Sequence, residues 1–216
     1  MSGPAIRVGV LLAGCGTHDG TEVGEAILTF LELERKGAVA LPLAPAGPQM
    51  HVVDHSRGEE VSDATRDMAS EAARLTRGRI ALLEEISPDR LHALVVPGGS
   101  GTAKNLMHGF LERGADRRPI PAVRALLAHC LEARKPIGLM SVANFLLPGL
   151  VDSPVLPERA GTNSDPLVVD PEHRLVYAPC FLTAPSLAVV AESVAGLVDL
   201  VLHYATSAKQ DAGLPA

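Results

Sequence analysis

The stretch KPIGLMSVANF, residues 135 to 145, holds the side chain most suggestive of chemistry. An apolar run from Ile137 to Met140 stops at the hydroxyl of Ser141 and continues into a stretch of helical character. A side chain at a strand-to-helix turn projects into a cleft with helix N–H groups behind it, as nucleophiles do. A serine nucleophile needs a base, ordinarily histidine, within hydrogen-bond reach. Of the 8 histidines, His18 is the best placed, in the loop after the first apolar run, while His129 and His203 fall on helices. The spacing GxSxG is absent, because Gly138 lies three residues before the serine and Asn144 three after it. Serine also suits a helix N-cap, so a capping role stands beside the catalytic one.

Glu25 is the second candidate. It sits in the first turn of an apolar helical segment, where a carboxylate suits the helix dipole. It could equally be a partly buried acid with a raised pKa, placed for proton transfer. PGGSGTAKN, residues 97 to 105, is the third. Its paired glycines, Gly98 and Gly99, let backbone amides approach a ligand and hold an oxyanion, or else simply form a tight turn. Asn105 closes that stretch as a further substrate-contacting candidate, as does Val142, whose amide follows the serine. Cys15, between two glycines, is either a reactive thiol or a small buried hydrophobe. The pattern GxxxxGK[ST] is missing and GCGTHDG lacks the acidic partner of a dinucleotide site, so neither nucleotide motif applies.

These side chains need elements to position them. IRVGVLLA (6–13) reads as a strand buried on both faces, followed by a helix from about Glu25, with Ile27, Leu28, Leu31 and Leu33 near one face and Gly37 as its stop. Further strands are expected at 38–43, 91–97 and 135–140, and a hairpin at 167–170 and 175–178 around PEHR. Further helices are expected from a cap at Ser62 or Asp63 to about Arg77, over 121–134, and over 186–204. The segments 45–60 and 152–166 read as long loops. Strands alternating with helices predict an α/β domain spanning 1–216, its mostly parallel sheet covered on both faces. Ligands in such sheets sit beyond the carboxyl ends of the strands, where the GCG loop, PGGSG and Ser141 should converge.

Composition narrows the class. The chain has 216 residues, 47% apolar and 20% charged, as soluble globular domains do. Its formal net charge of −6, without a Lys/Arg-rich run, argues against nucleic acid as a partner. Three cysteines with no CxxC pair imply free thiols, no metal pattern, and a cytoplasmic protein. MSGPAIRVGV lacks the pattern of a signal peptide, and Glu192, Asp199 and His203 argue against a membrane span at 187–204.

Taken together, GVLLAGCGTHDGTEVGEA, QMHVVDHSRGE, EAARLTRGRI, ALVVPGGSGTAKNL and KPIGLM resemble the ElbB-type proteins of the ThiJ/PfpI superfamily. The resemblance covers about residues 6 to 150 well and the remainder more loosely. It implies a three-layer, flavodoxin-like fold of the class I glutamine amidotransferase-like kind. It also implies a homodimer without metal or organic cofactor, and glyoxalase-type chemistry on small dicarbonyls. The family's nucleophilic cysteine maps onto Ser141, its pocket glutamate onto Glu25, and its oxyanion-side glycines onto Gly98 and Gly99. Cys15 maps onto a shared scaffold loop. The segment after Leu150 is shorter than the family pattern, which bears on the pocket rim or the dimer contact.

The serine sets the functional expectation. Surroundings can drive a thiol to thiolate but not an alcohol, so the family's thiol attack should be lost or very slow. One reading is a cofactor-independent hydratase, lyase or isomerase that works on a small carbonyl compound by acid/base chemistry at Glu25, with Ser141 binding the substrate. A second is a non-catalytic relative that binds a metabolite or a protein. A third is a glyoxalase-like enzyme in which serine has been substituted for the cysteine.

Overall fold

The computed structural model describes residues 5–112, 116–160, 167–183 and 186–211. Seven strands form one sheet: β1 (Arg7–Leu11), β2 (Val39–Ala44), β3 (Ala81–Leu82), β4 (Ala93–Val96), β5 (Ile137–Met140), β6 (Val168–Asp170) and β7 (Leu175–Ala178), in the order β6-β7-β5-β4-β1-β2-β3. Only the β6–β7 pair is antiparallel. The expected flavodoxin-like, class I glutamine amidotransferase-like architecture is therefore observed.

The unbroken apolar runs follow from burial on both faces. Leu11, Leu43, Leu94, Val96, Ile137, Leu139, Leu175 and Tyr177 pack with Val123, Leu126, Leu127 and Cys130 of α4 (Pro121–Glu132). The alternate residues Val8, Val10, Ala93, Val95, Met140, Val176 and Ala178 meet α1 (Val23–Arg35), α2 (Met68–Leu75) and the long α6 (Leu187–Asp211). Short α3 (Ser100–Asn105) and α5 (Pro157–Ala160) complete the set. Helix α6 is long and apolar enough to cross a membrane by length and composition, yet Val190, Val194, Leu197, Val198 and Val201 dock it on the sheet.

Several expected boundaries move. Helix α1 begins at Val23, capped by Glu22, whose Oε2 accepts the Glu25 N–H at 2.6 Å. It ends as expected before Gly37, which adopts φ +70°. The cap of α2 is Asp67, not Ser62 or Asp63, with Oδ1 accepting the Ser70 N–H at 2.8 Å. Residues 45–67 pack against the GCG loop, where a β-carbon on Gly14 would meet Gln49 and one on Gly16 would meet His55, and Val53–Asp54 pairs with Glu59–Glu60 as a small ribbon. Strand β3 was not expected, since two residues are too short to leave a periodic signal. The 152–166 loop is described only to residue 160, where Ser153 Oγ donates to Asp170 Oδ2 at 2.6 Å and ties the loop to β6.

Candidate active site

The parallel register brings the strand ends together. Val96 pairs with Leu139 and Met140 with Ala178, so the segments after β4, β5 and β7 leave one edge of the sheet side by side. At this edge Ser141 adopts φ 51°, the left-handed region, and opens a 3₁₀ turn, Ser141–Leu146. The cap of that turn is Met140 and Ser141 is its first residue, so the capping alternative does not hold. A left-handed non-glycine residue at a strand end marks stored strain and is typical of functional turns.

Glu25 reaches the same point from α1. A β-carbon on Gly98 would lie 2.5 Å from Ser141 Cβ, 2.8 Å from Glu25 Oε2 and 2.9 Å from the Met140 carbonyl oxygen. The serine, the carboxyl group and the Gly98 backbone therefore meet, and only glycine fits among them. The Gly98 N–H donates to Glu25 Oε2 at 2.6 Å, while Oε1 is buried with no hydrogen-bond partner among the described residues. Glu25 is 0% exposed and Ser141 6%. Burial pushes the Glu25 carboxyl up to about 8, the Gly98 amide opposing, the Glu22 carboxylate adding to the rise, and the Phe181 amide opposing. An acid poised near neutrality that meets a strained serine turn across Gly98 is equipped to take up and return a proton.

The other candidates divide. Gly98 serves differently from expectation: its amide holds Glu25 and its carbonyl accepts from the Glu22 N–H and from Thr102 Oγ1, so it is not a free oxyanion donor. Gly99, at φ 102°, packs tightly under the Gly20–Glu22 backbone and leads into α3. Val142 follows the serine within the 3₁₀ turn, half-buried. Asn105 is fully engaged in structure: Nδ2 donates to the carbonyls of Ala13 and Asp19, and Oδ1 accepts the Met50 N–H. His18 is exposed, stacks on His55 with ring centroids 5.1 Å apart, and makes no hydrogen bond to Ser141 among the described residues. Cys15 is half-buried, its thiol pushed up by burial and by the Glu71 carboxylate, which suits scaffold better than nucleophile. Among the described residues no group of three or more His, Cys, Asp or Glu side chains is placed to hold a metal. Two surface cavities of about 500 and 880 Å³ lie elsewhere, beside Ile27 and Leu75 and beside Arg118 and Arg124.

Two residues escaped the sequence reading. Glu22 both caps α1 and charges the surroundings of Glu25. Cys180, at φ 46°, opens a 3₁₀ turn directly beyond β7. The run YAPCFL carries no spacing signal for the Cys180 turn, although Pro179 before the cysteine marks a turn.

Comparison with known proteins agrees with this fold. No family model matches the chain. It is 41% identical over 143 residues to the ES1 protein homolog, mitochondrial, of Rattus norvegicus, and 41% identical over 143 residues to the glutamine amidotransferase-like class 1 domain-containing protein 3, mitochondrial, of Homo sapiens. Each match takes in 66% of this chain and 53% of the relative, so the chain spans about half the length of the curated relatives it matches. Among solved structures, an isoprenoid biosynthesis protein with amidotransferase-like domain from Ehrlichia chaffeensis superposes with TM-score 0.82 at 28% identity, over 92% of this chain and 100% of that one. Oxidised Toxoplasma gondii DJ-1 aligns over 98% of this chain and 100% of its own, with TM-score 0.53 and 16% identity, a likeness of fold alone. The chain thus has glutamine amidotransferase-like relatives and neighbours of the DJ-1/ThiJ/PfpI superfamily. The relatives also correct the cytoplasmic expectation, since they are named as mitochondrial. Free thiols and a soluble composition suit any reducing compartment, so they did not discriminate.

Proposed function

We propose that this chain is a cofactor-independent enzyme of the ElbB type that acts on a small carbonyl compound by acid/base chemistry, with serine where relatives of that type place cysteine. The observation that carries the reading is the Glu25 carboxyl, buried, held by the Gly98 amide, pushed up to about 8 and meeting Ser141 across Gly98, with Oε1 lacking a hydrogen-bond partner among the described residues. Near neutral pH the group is mostly protonated, yet close enough to its pKa to act in both directions. Ser141 then hydrogen-bonds the substrate carbonyl, the Val142 amide supports a developing oxyanion, and Glu25 moves a proton to or from the adjoining carbon or oxygen. Hydration, dehydration and enolisation all fit this arrangement.

The test is a screen of small aldehydes, ketoaldehydes and 2-oxo acids with the parent protein and Glu25→Gln. The reading expects turnover that falls by about 10²- to 10⁴-fold in the variant, as for loss of a general acid/base. Turnover unchanged by Glu25→Gln would overturn it. The nearly sealed hydroxyl favours a second reading, a metabolite-binding relative without turnover. Saturable binding of a carbonyl compound by both proteins, without product, would decide for it.

A further inference from the structure

One side of the sheet ends in a strand that is only half covered. Strand β2 pairs with β1 from Val39 to Leu43, but β3 reaches only Leu43 and Ala44 on its other side. Val39–Pro42 therefore has no strand beyond it among the described residues. In its place lies a cavity of about 500 Å³ between α1, β2 and the end of α2, walled by Ile27, Phe30, Leu31, Val39, Pro42 and Leu75. Ile27, Leu31 and Val39 are 46, 39 and 43% exposed, large apolar side chains gathered on one concave surface instead of scattered singly. The helix accounts for this: Ala26 and Leu33 turn into the core, while Ile27 and Leu31, four residues apart, share the face toward the cavity. Arg77 and Arg79 stand at the rim, both exposed, and neither guanidinium has an ion-pair or hydrogen-bond partner among the described residues. Glu34 is the one carboxylate among the lining residues, so two cations face one anion in a chain whose formal net charge is −6.

We propose that this cavity binds an aliphatic carboxylate, with its chain against Ile27, Leu31, Val39 and Leu75 and its head at the arginine rim. The site stands apart from the acid/base reading, because none of its lining residues belongs to the Glu25 and Ser141 site. Small-molecule sites have about this volume, apolar walls and a few polar groups that fix orientation. An arginine fork matches a carboxylate through two parallel hydrogen bonds, and a head held there leaves the chain to the apolar wall. A peptide strand added to the open edge is the rival occupant, and the edge itself argues against it. The Val39 N–H donates to the Ile6 carbonyl at 2.8 Å and the Leu43 carbonyl accepts from the Leu12 N–H at 2.8 Å, so these residues direct their hydrogen bonds toward β1. Alternation then turns Ala40 and Pro42 outward. Proline has no N–H, so the open edge offers at most the Ala40 amide as a donor, too little for a ladder.

Methyl NMR on the full chain tests this with hexanoate, octanoate and decanoate as probes and octanol as the uncharged control. The Ile27, Leu31 and Val39 methyl signals should shift saturably, while those of Leu111 and Leu182, exposed outside the cavity, should not. Affinity should rise about fourfold with each added methylene. Octanol should bind at least about tenfold more weakly than octanoate, and a double variant, Arg77→Ala with Arg79→Ala, should bring octanoate down to the octanol value. Leu31→Gln should weaken every probe, octanol included, because it removes part of the wall that the chain meets. All three substituted side chains are exposed, and matching thermal melts establish that the variants fold. Octanoate binding undiminished in the double arginine variant would overturn the proposal, as would the absence of a saturable shift with any probe. Equal shifts at Leu111 and Leu182 would overturn it too, since they mark indiscriminate adsorption of an amphiphile. Two further results would assign the face to another occupant and overturn it likewise. Signals at Ile27, Leu31 and Val39 that move on dilution without any probe would mean that a second copy covers the cavity. A peptide of alternating valine and threonine that shifts the Ala40 amide, where octanoate shifts nothing, would mean strand addition.

Discussion

Two carboxylates on the segments after β1 are fully buried, and their surroundings differ in kind. Asp19 accepts the Val53 N–H at 2.8 Å and lies 3.7 Å from the Arg66 guanidinium and 3.6 Å from the His55 ring. Glu25 accepts the Gly98 N–H, is influenced by the Phe181 amide, and has a like charge at Glu22; each carboxylate also keeps one buried oxygen, Asp19 Oδ1 and Glu25 Oε1, without a hydrogen-bond partner among the described residues. Each also has its own glycine: a β-carbon on Gly16 would lie 2.5 Å from Asp19 Oδ1, as one on Gly98 would lie 2.8 Å from Glu25 Oε2. Burial alone therefore does not mark a working acid. What separates the two is compensation: Asp19 has a cation beside it and joins the 45–67 loop to the body of the protein, while Glu25 is desolvated without one.

The largest expected effect separates them by function. Glu25→Gln should remove about 10²- to 10⁴-fold of any turnover, whereas Asp19→Asn should alter it far less unless the loop itself detaches. Equal losses in both, with folding intact, would erase the distinction. Stability should move in opposite directions. Glu25 is raised in the folded state to about 8 from 4.5, so the folded protein binds the extra proton between those values. Its favourable contribution is complete below pH 4.5 and is lost as pH rises through 8. Glu25→Gln should accordingly gain stability above pH 8, by up to about 4 kcal/mol, and little at pH 4.5. Denaturant titrations at pH 5 and pH 9 read this directly. Equal changes at both pH values would mean that the carboxyl is solvated.

Much of this arrangement is legible in the chain, and the exceptions have physical reasons. Ile6–Ala13 and Leu91–Pro97 read as strands because both faces are buried, so apolar residues need no alternation. Glu25 stood out as an acid opening an apolar helix. The role of Gly98 was misread because a glycine pair signals close approach without saying what approaches, and here it is the protein's own carboxyl. The start of α2 was misplaced because Ser62, Asp63 and Asp67 all suit a cap, and the choice is made by the Pro48–Asp67 bridge, a tertiary contact. Cys180 was invisible because its distinction is a backbone angle, and cysteine is no usual resident of the left-handed region.

Asp19→Asn gives a smaller effect that tests the other half of the comparison. The amide oxygen can still accept the Val53 N–H, so the hydrogen bond itself survives. What is lost is the charge facing Arg66, a side chain about one-third exposed and able to rehydrate. The cost should therefore lie at about 1–3 kcal/mol, below the full penalty for breaking a sealed ion pair. Asp19→Ala should cost more, because it also leaves the Val53 amide without its acceptor. Amide hydrogen exchange at Val53 discriminates between the two: protection should persist in Asp19→Asn and fall in Asp19→Ala. If Asp19→Asn instead stabilised the protein at neutral pH, Arg66 and His55 would not be compensating the carboxylate, and Asp19 would join Glu25 as an acid buried at the expense of stability.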